Sequence, residues 1–485
     1  MREVAVARGD GVGPEIMAVT LRALEAVEAP LAFLDVEMGA EVFGRGISSG
    51  MTEEAQAVVE RCGVLLKGPM ETPKGKGVKS IHETAQTLWG TYANKRVFRT
   101  LKGVAGPASR GSSPIHITLI RENTEDTYGA VEHLQTQDVA QCRRFITRPG
   151  SRQIHRYAFE AALRKGAKRV TCGHKANIMK LTDGLFLETF YEVAAQYPQL
   201  VADDLMVDDM AMRLVMAPEA FDVVVLPNLQ GDILSDLCAG LVGGLGYAPS
   251  ADIGDHVAIF EAVHGTAPDL VGQDRANPSA LLLSAVMMLR HFGLFDHASH
   301  LENALEQALL EMRRVPDLGY PPAPFSTRRF EAALLDAVRN TKPNVQWQGQ
   351  QERSGVPSTP SPTPAPGPRV MVSAGRKDQR AVGVDIFVES THSPEELAQR
   401  LRELAGPDLE LKMLSNRGTQ VWPVSSRFTD CVDHYRVRFL SPGHEVGMHR
   451  LMNLAAAVSE RARLCSLEVL LEIDGKPAFS MAQGQ

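Results

Sequence analysis

The chain has 485 residues, 44% hydrophobic and 22% charged, which calls for two or three globular units with sizeable cores. A net charge of −7 and a pI near 6.1 leave no basic surplus, which argues against nucleic acid or an anionic membrane as a main partner. Its six cysteines stand far apart with no metal-ligand or redox spacing, as expected of reduced thiols in a cytoplasmic protein, and no apolar run reaches membrane-spanning length.

The N-terminal MREVAVARGDG enters a short strand, Val4–Ala7, and lacks the pattern of a signal peptide. GDGVGPE (9–15) then turns into a helix over 16–27. Its glycines follow a strand and open a helix, but the last glycine of the Rossmann fingerprint is missing and no acid follows at the expected distance. A tight strand–helix turn is the better account, with Pro14 in the first helical turn. Strands are predicted over Val64–Lys67, Ile115–Ile120, Arg169–Cys172 and Asp222–Leu226, and helices over Arg152–Lys165, Leu234–Leu241, Ala280–His291 and Leu301–Arg313. This alternation places the body, residues 1–343, in the α/β class. Residues 344–368 are rich in Pro, Ser and Gln and read as an extended linker. The tail, 369–485, reads as strand (Val382–Glu389), helix (Pro394–Leu404), two strands (Leu409–Ser415 and Tyr435–Leu440), helix (Val446–Arg461) and strand (Ser466–Ile473). That order is a small split βαβ arrangement, an α+β domain.

The stretch NLQGDILSDL (228–237) carries two aspartates, Asp232 and Asp236, at a spacing that puts like charges on one helix face. Two accounts stay open on the residues alone. In one, Asp232 lies in a first turn favoured by the helix dipole and Asp236 faces solvent. In the other, a hard divalent cation bridges both carboxylates, with VDDM (207–210) as a source of a third. RENTEDTYGAVEH (121–133) and HKANIMK (174–180) follow strands and read as polar loops; HGTAPDLVGQDRANP (264–278) is a long Gly/Pro/Asn-rich loop whose backbone N–H groups suit phosphates.

Taken in order, GDGVGPE, KGPMETP, YANKR, RENTEDTYG, HKANIMK, NLQGDILSD, GGLGYAPSADIG, FEAVHGTAPD and NPSALLLSAVMMLRH resemble the isocitrate/isopropylmalate dehydrogenase family over roughly residues 1–342. VGVDIFVE, LKMLSNRGTQV and VDHYRVRF resemble the extra C-terminal domain of some bacterial isocitrate dehydrogenases. The resemblance implies a non-Rossmann fold of large and small domains and a homodimer with shared active sites. It implies a metal site, Mg²⁺ or Mn²⁺, at Asp232 and Asp236 with Asp208 from a partner subunit. It gives Tyr128 the role of catalytic acid and Lys175, likewise reaching across from a partner subunit, that of assisting proton removal from the substrate hydroxyl. Substrate carboxylates fall to Ser80, Arg96 and Arg121, and the cofactor to Thr72, His264, Gly265, Asp269, Leu270 and Asn277. The implied reaction is metal-dependent oxidative decarboxylation of isocitrate or a related hydroxy-di- or tricarboxylate.

Three departures from the family pattern involve four positions. Asp269 and Leu270 stand where NADP enzymes of the family place Lys-Tyr, which leads to an expectation of NAD, since an aspartate repels a 2′-phosphate and accepts from ribose hydroxyls. Gln86 replaces the third carboxylate-binding arginine, a loss of about 1.5–3 kcal/mol of binding if nothing compensates. His82 replaces an asparagine, and protonated His82 offers partial compensation. Two alternatives follow: a dehydrogenase for another β-hydroxyacid (malate- or tartrate-like, homoisocitrate or isopropylmalate), or a non-catalytic regulatory subunit, which the retained Tyr128, Lys175 and three aspartates oppose.

Overall fold

The computed structural model describes residues 1–71, 80–107, 114–314, 325–342, 378–423 and 429–480. The expected linker (344–368) and Thr72 lie outside the described residues. The chain divides into two compact units.

The first unit holds residues 1–128, 146–176 and 185–370. Its strands are β1 (Arg2–Ala7), β2 (Leu31–Asp35), β3 (Val64–Lys67), β4 (Ala93–Arg99), β5 (His116–Glu122), β8 (Arg169–His174), β9 (Val201–Met206), β10 (Val223–Leu226), β11 (Pro249–Ile253) and β12 (Ala258–Ala262). β6 (Glu132–Leu134) and β7 (Ala140–Cys142) form a hairpin of the second unit. The ten strands make one mixed sheet in the order β2-β1-β3-β12-β11-β4-β5-β10-β8-β9. At its centre β12, β11, β4 and β5 pair antiparallel, and the flanking strands pair parallel. This is not a doubly wound Rossmann sheet; β4 and β11, which carry polar side chains inward, are its antiparallel middle. β10 is VVVL with every residue buried, the pattern of a strand covered on both faces.

GDGVGPE is the tight turn expected of it. The helix begins at Gly13 with Pro14 in its first turn, and Gly11 has φ +58° with its α-carbon so near the Thr266 carbonyl that an added Cβ would stand 2.1 Å away. Val12 N–H donates to that same carbonyl at 3.0 Å, so the first turn of the chain is fastened to the HGTAP loop.

The second unit holds residues 129–145, 177–184 and 371–485. Its main sheet runs β15 (Thr419–Trp422), β14 (Glu410–Asn416), β16 (His434–Leu440), β13 (Gln379–Glu389), β17 (Arg463–Ile473) and β18 (Lys476–Pro477), all antiparallel. Helices Pro394–Arg402 and Met448–Ser459 bury their apolar stripes against it, as the split βαβ reading expects. Within its core, fully buried Arg438 donates from Nε and Nη2 to both oxygens of Asp385 at 2.7 Å. Thr136 also donates to Asp433 at 2.8 Å, tying the hairpin segment to this unit.

Candidate active site

The helix carrying the two aspartates begins at Asn228, so Asp232 and Asp236 lie beyond its first turn and the dipole account of Asp232 fails. β5 packs on this helix at Gly231, where an added Cβ would come within 2.8 Å of Arg121. Close approach lets Arg121 bond along the helix: Nε donates to Asn228 Oδ1 at 2.8 Å and Nη1 pairs with Asp232 Oδ1. The Tyr128 hydroxyl donates to the other oxygen of Asp232 at 2.8 Å, and the Arg121 guanidinium lies 4.7 Å over the tyrosine ring. From β4, Arg96 binds Ser235 and stands 3.7 Å from Asp232 and 3.8 Å from Asp236. The repelling carboxylates are thus flanked by two cations.

Exposure separates the roles. The arginine side chains are 9% and 8% exposed, while those of Asp232 and Asp236 are 42% and 62% exposed. Carboxylate oxygens face outward over a buried cationic floor. Hard oxygen donors in that arrangement fit Mg²⁺ or Mn²⁺. Burial pushes the Tyr128 hydroxyl up to about 12, against the pull of Arg121 and with help from Asp232, so it keeps its proton at neutral pH. Burial, with repulsion from Arg121, lowers the pKa of Arg96.

Lys175 and Asp208 make a second cluster. Lys175 follows β8, Asp208 lies in the first turn of the helix Val207–Met216, and the two pair at 2.5 Å. The lysine hydrogen bond holds the Asp208 carboxyl below its usual range.

Ser80 opens the helix Ile81–Trp89 as its cap: Ser80 Oγ accepts from Glu83 N–H at 3.0 Å, and Glu83 Oε2 accepts from Ser80 N–H at 3.4 Å. Glu83 is thus the capping-box partner of Ser80. His82 and Gln86, one turn apart, point into a buried polar network. His82 Nδ1 lies 2.9 Å from Glu261 Oε1, and Glu261 also pairs with buried Lys67. The Gln86 amide donates to Asp252 at 3.2 Å and to Asn123 at 3.3 Å, and Asn94 donates to Asp252 at 2.6 Å. Asn94 in turn accepts from Arg96 Nε at 2.9 Å, so one hydrogen-bonded chain runs from His82 to the arginine–carboxylate cluster. Burial opposes the charge on His82, yet Glu261 with Asp252 holds its pKa above the ordinary value. Burial likewise raises the Asp252 carboxyl, while His82 and Lys67 outweigh burial and hold Glu261 well below the carboxylate range.

Lys67, Asn94, Asn123, Asp252 and Glu261 went unnoticed in the sequence. A signal was there for Glu261: a single acid inside AIFEA, a strand whose five residues are all buried, requires a partner.

The segment expected to meet the cofactor is assembled around Asp274. Asp274 accepts from Arg328 N–H at 2.9 Å and Ser326 Oγ at 2.7 Å, seating the helix Thr327–Asn340 on the loop and bringing the exposed Arg328 guanidinium to 3.5 Å from Asp274. His264 Nδ1 lies 3.0 Å from the Gly265 carbonyl. Asp269 and Leu270 share one 3-10 turn, Leu270 packing toward the core. Asn277 Oδ1 accepts from Ser279 N–H at 3.0 Å at the start of the helix Ser279–His291.

Two family models match this chain: isocitrate/isopropylmalate dehydrogenase over residues 3–334, and the bacterial isocitrate dehydrogenase C-terminal domain over 379–485. Its relatives include the isocitrate dehydrogenase [NADP] of Thermus thermophilus, 45% identical over 99% of this chain and 96% of that protein. The isocitrate dehydrogenase [NADP] of Rickettsia bellii is 36% identical over 99% of both. A crystal structure of a Thermus thermophilus protein superposes with a TM-score of 0.88 at 43% identity, covering all of this chain and 96% of the other.

These relatives overturn the expectation of NAD, since full-length matches are named for NADP. The expectation rested on Asp269 and Leu270, with Ala276 before Asn277, and set Arg275 aside as a holder of the phosphate. The folded loop also carries Arg275 and is bound to the helix start bearing Arg328, so the charge at one position does not decide how a 2′-phosphate is received.

Proposed function

We propose, for this chain, which belongs to the isocitrate/isopropylmalate dehydrogenase family, the oxidative decarboxylation of isocitrate with NADP as hydride acceptor. Isocitrate and NADP⁺ then give 2-oxoglutarate, CO₂ and NADPH. The observation that carries this reading is the bonding of Tyr128 and Arg121 to the two oxygens of Asp232, which gathers a proton donor, a carboxylate clamp and an oxygen ligand at one point.

Asp232 and Asp236 would hold the metal, with Asp208 supplied by a second subunit of a homodimer. When bound, a divalent cation acts as a Lewis acid that acidifies a substrate hydroxyl and holds charge on an oxygen. Arg96 and Arg121, fixed by Ser235 and Asn228, orient substrate carboxylates. Lys175 of the second subunit, paired with Asp208, assists removal of the hydroxyl proton, and Tyr128 delivers a proton to carbon after CO₂ leaves. His264, Gly265 and Asn277 line the cofactor loop, with Arg275 and Arg328 as the cations available to a 2′-phosphate. NADP held there would supply the hydride acceptor.

The enclosure of Gln86 between Asp252, Asn123 and His82 favours a second reading on substrate alone, another β-hydroxyacid gripped by two arginines. Incubation with isocitrate, NADP and Mn²⁺, followed by identification of products, separates them: 2-oxoglutarate and CO₂ support the first reading. Inactivity with isocitrate, and turnover with a different β-hydroxyacid, supports the second.

A further inference from the structure

β4 presents different side chains to its two faces. Asn94 and Arg96 reach Ser250, Asp252 and Ser235 in the candidate active site, whereas Val97 and Arg99 line a cavity of about 230 Å³ on the other face. Its remaining walls include His116 at the start of β5, Lys165 at the end of the helix Arg148–Lys165, and Arg290 on the helix Ser279–His291. One carboxylate, Glu302, lines it beside these three cations, Arg99, Lys165 and Arg290. Glu302 pairs with Arg99 at 2.9 Å and with Arg290 at 2.7 Å, so a single acid serves two guanidiniums, Glu306 adding a longer contact to Arg99 at 3.3 Å.

Lys165 has no carboxylate among its hydrogen-bond partners in the described residues. Its ammonium donates to two main-chain carbonyls, His116 at 2.5 Å and Asp222 at 2.9 Å, while the Asp222 carboxylate accepts from the Lys168 and Arg169 amides. An ammonium has three donors, and a third acceptor in the cavity completes the set. The local field is positive. Burial, with Lys165, Arg99, Arg290 and Lys95, drives His116 down to about 2, and burial, with Lys95, lowers Lys165 to about 8 despite Asp222. Cationic groups in a partly enclosed space are stabilised by an anion far more than they would be in open solvent.

The geometry points to this cavity as a second ligand site, for a small oxyanion of the phosphate or carboxylate class, held by Lys165 and Arg290 and separate from the arginine–carboxylate cluster. It does not depend on the dehydrogenase reading. The volume suits a phosphate or a short carboxylic acid and falls below that of the pockets that usually take larger organic ligands.

The test uses the full chain at constant ionic strength, with inorganic phosphate and malonate titrated separately and the histidine ring signals followed by NMR. An anion in the cavity raises the pKa of His116, and either probe that does so supports the site and identifies its class. Lys165→Met and Arg290→Gln should each weaken that binding at least tenfold and leave the isocitrate KM unchanged. Arg290 is 30% exposed at a helix end, so its variant keeps the test valid should Lys165→Met fail to fold. Equal affinity in all three proteins, or a His116 signal that responds to neither probe, overturns the proposal.

Discussion

The Gln86 amide nitrogen lies 2.7 Å from His82 Nε2, one helical turn away, while the other ring nitrogen faces Glu261 at 2.9 Å. With Gln86 as donor, the neutral ring accepts at Nε2 and turns Nδ1 toward Glu261. A second proton requires the Gln86 amide to turn and release Asp252 and Asn123. Both ring nitrogens are engaged by the protein, so His82 acts on a bound anion through its charge.

That arrangement sets a pH dependence. The His82 pKa is raised, by Glu261 and Asp252 against burial and Lys67, so the stability gained from its protonation is complete below the ordinary value of about 6.5 and is lost as pH rises through the folded value. Denaturant midpoints from pH 6 to 9 should fall faster for the wild type than for His82→Gln. The substrate KM should rise over the same range in the wild type alone. Parallel profiles in the two proteins would remove His82 from both effects.

Tyr128→Phe deletes the proton donor and leaves the ring under Arg121. A kcat lower by about 10²–10⁴-fold is expected, with little change in KM or melting temperature. Because burial holds the hydroxyl near 12, no wild-type ionisation of Tyr128 should show in kcat below about pH 10.

Asp236 is largely exposed, so Asp236→Asn should leave stability within about 0.5 kcal/mol of the wild type. Its effect should appear in Mn²⁺ affinity, weakened at least tenfold by direct titration without substrate. Unaltered Mn²⁺ binding would move the metal away from this helix.

Asp385→Ala strands the buried Arg438 guanidinium in the second unit. Removing one member of a buried pair costs about 3–5 kcal/mol, read as a lower denaturant midpoint for the C-terminal sheet. A loss below about 1 kcal/mol would show that water reaches Arg438 after the substitution.

The repeating helices and the C-terminal sheet were legible because their apolar periodicity is strong; Val64–Lys67 and the start at Pro394 stand where the pattern sets them. β4, β11 and β12 were missed, since ANKRVFR and PSADI interleave charged and polar residues that mimic loops. Those polar residues are buried because they pair across neighbouring strands, which only the sheet order creates. The candidate aspartates, arginines and tyrosine were found through motif order; the fold brings Arg96, Arg121 and Tyr128 to Asp232, while Asp208 stands with Lys175. The network around His82 was illegible for a different reason: its five further members come from four separate strands and one loop position. The NAD expectation, overturned by relatives named for NADP, weighed Asp269, Leu270 and Ala276 above Arg275 and had no view of Arg328, which is distant in sequence and meets the loop at Asp274.

The most direct measurement is the steady-state rate with isocitrate, NADP and Mn²⁺ for the wild type and Asp232→Asn. The account predicts turnover by the wild type that is abolished by chelation, and a fall of at least a hundredfold in the variant, which loses a metal ligand and the partner of both Tyr128 and Arg121. A silent wild type, or a variant as active as the wild type, would contradict it.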